Sequence, residues 1–316
     1  MHATEGTTGV AAGGRAGRAA GARRRVGPYT LITALDDFRT RIPVPERRYV
    51  ARSTDGRHTV LLSLPHQGSD PQRFLAEADA SRYLLGPGSA PATALAAPGE
   101  PAWYARPYLP VLPLPTALAV HGGPLPERTV RALGVALAET LAILHGQGLA
   151  FAGVSPAAVL LAAYGPQLSC FGAVRAAAPD GMPRSGLPGL EPGSLPPEQA
   201  SGGRPRPLGD VYALGATLAY AATGHTAPER DELPAAFRSV ISRCLARDPG
   251  ARPPLAELID ALADGDSSGS TTLLGPGWLP GRVIAALAHQ SAAVLTAEIP
   301  AEAVPVQLPP PTSHSN

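Results

Sequence analysis

Residues Leu144–Gly172, LHGQGLAFAGVSPAAVLLAAYGPQLSCFG, decide how the rest of the chain is read. Upstream, Leu133, Leu137, Leu141 and Leu144 recur at helical spacing and stop at Gly146 and Gly148. Two short apolar runs follow, Val159 to Leu161 and Leu168 to Cys170, on either side of a Tyr164-Gly165-Pro166 turn. That is the pattern of a tight strand pair. The stretch therefore reads as a helix end, a loop and a hairpin in immediate succession.

The chain has 316 residues, 44% of them hydrophobic, enough for one two-lobed domain or two small ones with a sizeable core. All 26 basic residues are arginine. Without lysine there is no P-loop phosphate clamp and no amine for Schiff-base chemistry. Cys170 and Cys244 are the only cysteines, so neither a disulfide framework nor a cysteine-rich metal site is expected, and a reducing cytoplasm fits. No run approaches the roughly 18 apolar residues of a membrane span, and no charged start followed by an apolar core marks a signal peptide. A net charge of +1 offers no general attraction to nucleic acid.

The layout of residues 144–172 resembles the catalytic core of bacterial, eukaryotic-like serine/threonine protein kinases. In that family the loop is written H-R-D-L-K-P-x-N and the second strand ends in D-F-G. The matching residues here are Phe151-Ala152-Gly153-Val154-Ser155-Pro156-Ala157-Ala158 and Cys170-Phe171-Gly172. The resemblance covers about residues 27–263 and lies in the order and spacing of several degenerate motifs. It implies an α+β bilobal fold, with a small antiparallel-sheet N-lobe over 27–108 and a mainly helical C-lobe over 109–263. Residues 1–26, rich in Arg, Gly and Ala, are expected to be a disordered tail, either solvated or touching anionic lipid or RNA. After a linker at 264–277, the amphipathic run 278–299 (Val283, Ile284, Leu287, Val294, Leu295) resembles an appended helix of some bacterial relatives. It packs on its own domain or serves a partner. The proline-rich tail 300–316 is expected to be disordered.

In the N-lobe, GPYTLITAL, RRYVARS and TVLLSL read as strands. The family's phosphate-covering loop is rich in glycine, whereas Asp36 to Pro45 contains none, so a plain surface connection is expected there. The resemblance puts the family's strand-three lysine on Leu62 and its adenine-roofing alanine on Val60. Its helix glutamate falls on Glu77 and its gatekeeper on Arg106, with Arg48 facing the same pocket. Glu77, lacking the lysine, must turn to water, Arg73 or Arg106. The specific expectation is an Arg106–Glu77 ion pair closing the cleft; the alternative is an arginine whose stem packs while its head reaches solvent.

In the C-lobe, Gly153, Ser155, Ala158 and Cys170 stand where the resemblance expects the catalytic aspartate, the loop lysine, and the magnesium-binding asparagine and aspartate. None of the four can take over those roles. Phe151 and Phe171 keep an apolar column between the lobes, and Cys170 reads as a small buried filler rather than a reactive thiol. His145 reads as a helix-end packing residue, not a base. Pro196-Pro197-Glu198-Gln199 resembles the family's A-P-E-Q, Arg252 its glutamate-pairing arginine, and Asp210 the aspartate that holds the catalytic-loop backbone. The implied function is a pseudokinase: a protein-binding or regulatory module without cofactor or metal. Its protein partner is unknown, an active kinase or a regulator being candidates. The alternative is a divergent serine/threonine kinase that retains Mg-ATP and phosphorylates protein Ser or Thr.

Overall fold

The computed structural model describes residues 24–36, 41–263 and 273–297. The expectations for residues 1–23, for most of the linker and for the tail at 300–316 lie outside them. The fold is α+β and bilobal.

Six antiparallel strands build the smaller lobe: β1 (Arg25–Val26), β2 (Tyr29–Ala34), β3 (Arg47–Ser53), β4 (Thr59–Leu64), β5 (Ala94–Leu95) and β6 (Tyr104–Pro107), in the order β1-β2-β3-β4-β6-β5. β1 falls in the last residues of the stretch expected to be tail, and its Val26 is buried in a cluster with Trp103. Register decides which side chains meet the other lobe, because successive strand residues face opposite ways. Arg48 pairs with Ser63 and Val50 with Leu61, while Tyr49 and Ala51 pair with Leu62 and Val60. Leu62 and Val60 thus belong to the outer face, packed with Val26, Ala51, Trp103 and Ala105. Leu61 and Val50 face inward, with Leu35, Val111, Leu160 and Ala162.

Helix α1 (Pro71–Ser81) packs on the sheet, with Phe74 and Ala78 in one cluster with Tyr104. Asp70 starts it, accepting from the amides of Gln72 and Arg73 at 2.9 and 3.3 Å. In the larger lobe, β7 (Leu112–Pro113), β8 (Val159–Ala162) and β9 (Gly165–Leu168) form a small sheet beside α2 (Leu114–His121) and α3 (Glu127–Gly146). Leu133, Leu137, Leu141 and Leu144 of α3 are no more than 2% exposed and form the centre of this lobe's core. Although α3 is long and apolar enough to cross a bilayer, 67% of the relevant window is buried inside the protein. The remaining helices are α4 (Ala173–Ala177), α5 (Pro197–Ala200), α6 (Pro207–Thr223), α7 (Ala235–Cys244), α8 (Leu255–Leu262) and α9 (Gly281–Leu295). Of the two readings of the last helix, the structure shows the first: Trp278, Leu279, Val283 and Leu287 join the C-lobe core.

Glu198 and Arg252 tie the start of α5 to the segment before α8, with Nη1–Oε1 at 2.7 Å and Nη2–Oε2 at 2.9 Å. The Arg252 side chain is fully buried, donates to the carbonyls of Ala246 and Leu208, and lies over the Tyr212 ring. Burial opposes the Glu198 charge, but the Arg252 hydrogen bonds outweigh it and hold the carboxyl below its usual value. Arg252→Ala should cost about 2–4 kcal/mol in chemical denaturation, less than a fully buried pair because Glu198 is partly solvated. A lowered carboxylate adds stability above its ordinary pKa of 4.5 and loses it as pH falls through the lower folded value. The gap between wild type and variant should therefore narrow in acid below that range, and a gap that widens there would contradict the pairing.

Candidate functional site

Between the lobes, the strand pair β8–β9 and the loop before it meet the inward face of the N-lobe sheet. Of the connection Asp36 to Pro45, expected to run plainly over the surface, residues 37–40 lie outside the described residues and Arg41 is exposed, but the stretch nearest β3 turns inward. Pro45 and Glu46 enter the cleft, and Ile42 packs against the C-lobe core. Glu46 is 4% exposed and accepts three hydrogen bonds: from Tyr104 Oη at 2.5 Å, Ser63 Oγ at 3.0 Å and Cys170 Sγ at 3.3 Å. Beside it, Arg48 donates to Asp36 (Nε–Oδ2, 2.9 Å), to Ser169 Oγ at 3.0 Å and to Cys170 Sγ at 3.9 Å. Residues from both lobes are thereby tied into one buried polar cluster, and each charge in it has a counter-charge or a donor within reach.

The electrostatics follow from that enclosure. Burial works against the Arg48 cation, yet the neighbouring Asp36 charge overcomes it and holds the guanidinium above its ordinary value. Burial and then the Glu46 charge push the Cys170 thiol well up, and the same two causes raise Tyr104. Both stay protonated and donate to Glu46. A buried, protonated thiol is a poor nucleophile.

Several expected placements need correction. Val60 and Leu62 do not line the cleft; on β4 the inward residues are Leu61 and Ser63, one position along. The Arg106–Glu77 ion pair does not form. Glu77 is held instead by Arg175 of α4, with Nη2–Oε2 at 2.7 Å and Nε at 2.9 Å from each carboxylate oxygen. Arg175 also lies 4.7 Å over the Phe171 ring. Arg73 pairs with Asp70. Arg106 is 3% exposed, so its head does not reach solvent either; its Nη1 donates to the Ala90 carbonyl at 3.4 Å, and Nε and Nη2 are buried without a partner.

Other placements agree in position with the sequence reading. Phe151 and Phe171 meet edge to face at 5.5 Å. Asp210, 1% exposed on α6, accepts from the amides of Phe151 at 2.7 Å and Ala152 at 2.8 Å and contacts His145 Nε2 at 2.9 Å. These bonds help hold Ala152 at φ 54°, and Cys170 likewise lies at φ 65°, in the left-handed region costly for residues with a Cβ. Ser155 caps the turn before β8, its Oγ accepting from the Ala158 amide at 3.3 Å. Ala158 offers its carbonyl to Ser169 Oγ at 2.8 Å.

Gly153 is where the backbone leaves no room. A Cβ there would sit 2.1 Å from the Cys170 carbonyl oxygen and 3.3 Å from the Ala173 amide. Any side chain at this position collides with the backbone of the segment that follows β9. Within the cleft, the described residues leave a cavity of about 50 Å³ bordered by Phe74, Glu77, Tyr104, Cys170 and Phe171. Pockets for drug-sized ligands run to roughly 300–1,000 Å³, whereas a water occupies about 30 Å³. The cavity falls far below the range for such ligands.

Sequence reasoning missed Glu46, Ser63, Ser169 and Arg175. One signal was present: Glu46, Arg48 and Val50 alternate, which places all three on one face of a strand. Nothing local marks Arg175 as the partner of a glutamate 98 positions earlier.

No family model matches the chain. It is similar to a probable serine/threonine-protein kinase of Thermomonospora curvata, PkwA, at 31% identity in an alignment that covers 81% of this chain and 36% of that protein. The serine/threonine-protein kinase AfsK of Streptomyces coelicolor aligns at 27% identity over 83% of this chain and 35% of its own length. PknK of Mycobacterium tuberculosis, also a serine/threonine-protein kinase, aligns at 35% over 50% of this chain and 16% of its own length. The chain belongs to the bacterial, eukaryotic-like serine/threonine protein kinase family. It spans about a third or less of the length of these relatives.

The crowding at Gly153 gives a direct check. Gly153→Ala should destabilise the protein by about 1–3 kcal/mol, since the neighbour that must move is backbone rather than a flexible side chain. An unchanged denaturation midpoint would mean that the loop and the segment after β9 are not packed as described.

Proposed function

We propose that this protein-kinase-like domain is a pseudokinase, acting as a protein-binding or regulatory module rather than as a phosphotransferase. The observation that carries the reading is the buried cluster of Asp36, Glu46, Arg48, Ser63, Tyr104, Ser169 and Cys170. It fills the space between the lobes with the chain's own side chains. A triphosphate brought here would meet Glu46 and Asp36, and the cavity left is a small fraction of a nucleotide's volume.

The chemistry at the motif positions supports the same reading. Phosphoryl transfer needs a cation at the phosphates, carboxylate or amide oxygens for the metal, and a carboxylate that positions the attacking hydroxyl. Ser63 faces the cleft from β4, and Gly153, Ser155, Ala158 and Cys170 occupy the loop and strand-end positions. None of these is a cation or a carboxylate. Losses within one catalytic unit are not additive, but with every member replaced no mechanism is left to the remainder. Meanwhile Asp210, Glu198 and Arg252, which support shape, are present and engaged. Retained framework beside replaced chemistry fits a domain used for its surface. Both free cysteines are buried, and burial raises Cys244 to about 12, which fits inert side chains in a reducing cytoplasm.

The rival reading, a divergent serine/threonine kinase that binds Mg-ATP, draws on the relatives' names. One experiment separates the two. With millimolar Mg-ATP, the expected result is an unchanged thermal midpoint and no label transferred from ATP to protein. A ligand at 100 times its Kd stabilises by about 2.7 kcal/mol, so a midpoint rise of several degrees, or transferred label, would overturn the proposal.

A further inference from the structure

Helix α9 makes two different attachments. Its first half is part of the C-lobe core through Val283 and Leu287. Its second half leaves that core and crosses to the connection between the lobes. There Gln290 donates from Nε2 to the Val111 carbonyl at 3.0 Å, and its Oε1 accepts from the Val111 amide at 3.1 Å and from Tyr108 Oη at 3.3 Å. One turn on, Val294 is 3% exposed within the inward apolar cluster, between Leu35, Val50 and Leu61 of the N-lobe and Leu160 and Ala162 of β8. One side chain is thus part of an apolar cluster drawn from both lobes.

The end of α9 is also completed by the N-lobe. Its last turn carries no basic residue of its own, although a helix C-terminus favours a cation. Arg52 of β3 supplies one, with Nη2 donating to the Val294 carbonyl at 2.6 Å and Nη1 to the Ala297 carbonyl at 3.2 Å. Yet these few contacts hold a helix with no side-chain cap at its start and with Leu295 79% exposed beside Val294. Segments with few buried apolar contacts open locally well below the cost of global unfolding.

We propose that the second half of α9, residues 288–297, is a releasable strap. It fixes the lobes at one angle by filling the mouth of the cleft, and its release frees the lobes to move. The proposal rests on the reading of this domain as a regulatory module and supplies a moving part for it. The buried Val111 amide is its natural reporter, because the Gln290 side chain is its partner.

Amide hydrogen exchange on the full chain tests this. In Val294→Asp the Val111 amide should exchange about ten-fold faster or more, while Leu214 and Ala219 in α6 keep their wild-type rates. Gln290→Ala and Arg52→Ala should act in the same direction, and they decide the matter should Val294→Asp not fold. A Val111 amide as protected as in wild type would overturn the proposal. So would acceleration in α6 by the same factor, which would make the helix an inseparable part of the core. Mg-ATP added to Val294→Asp keeps the two readings apart: stabilisation there would count against the pseudokinase reading, whereas the strap stands or falls on exchange alone.

Discussion

A carboxylate buried between two lobes must be given donors, and the architecture of the cleft follows from how Glu46 receives them. Tyr104 and Ser63 come from the N-lobe sheet and Cys170 from the strand end of the C-lobe, so a single anion joins parts of the chain up to 124 residues apart. Arg48 repeats the arrangement with opposite sign, reaching from Asp36 across to Ser169. Removing any one donor would leave a desolvated charge underserved, at about 1–3 kcal/mol per lost bond. The lobes are therefore joined by electrostatic satisfaction as well as by apolar contact.

The loop beneath is held by the same logic in a different form. Ala152 and Cys170 both carry a Cβ in left-handed backbone, a conformation that persists only where surroundings over-determine it. Asp210 supplies two of the required bonds, and the Phe151 and Ala152 carbonyls accept from the Gly172 and Val174 amides at 2.9 and 2.8 Å. The strain and its supports are both present. The loop also sets Gly153 against the Cys170 carbonyl.

Much of the fold was legible in the sequence because its signals are periodic and local. The leucines of α3 recur at helical spacing, Asp70-Pro71 announces α1, and a hairpin was legible after α3, although its turn is Ala163–Tyr164, and Gly165 and Pro166, expected in the turn, already pair within β9. The scaffold pair Glu198–Arg252 was legible through motif order. What failed was register and long-range charge pairing. A one-residue shift on β4 exchanges Leu62 for Ser63, and both fit an apolar strand equally well until the partner strand is known. Glu77 had two arginines in plausible reach by sequence, yet a third, Arg175, takes it, because only the folded backbone brings α4 against α1. The helix at 278–299 could not be assigned to its own domain beforehand, since an amphipathic stripe states that a face is buried and not by what.

A polar cluster shared by both lobes, a strained loop held by Asp210 and a helix that touches the interlobe connection belong to one molecule. Its internal charges join the two lobes across the cleft. The most direct measurement is the unfolding free energy of Glu46→Ala against wild type in chemical denaturation. The account predicts a loss of about 3 kcal/mol or more, because Tyr104, Ser63 and Cys170 lose their acceptor and Arg48 a neighbouring countercharge. A variant as stable as wild type would show that the cleft is not held shut by this cluster, and the account would be wrong at its centre.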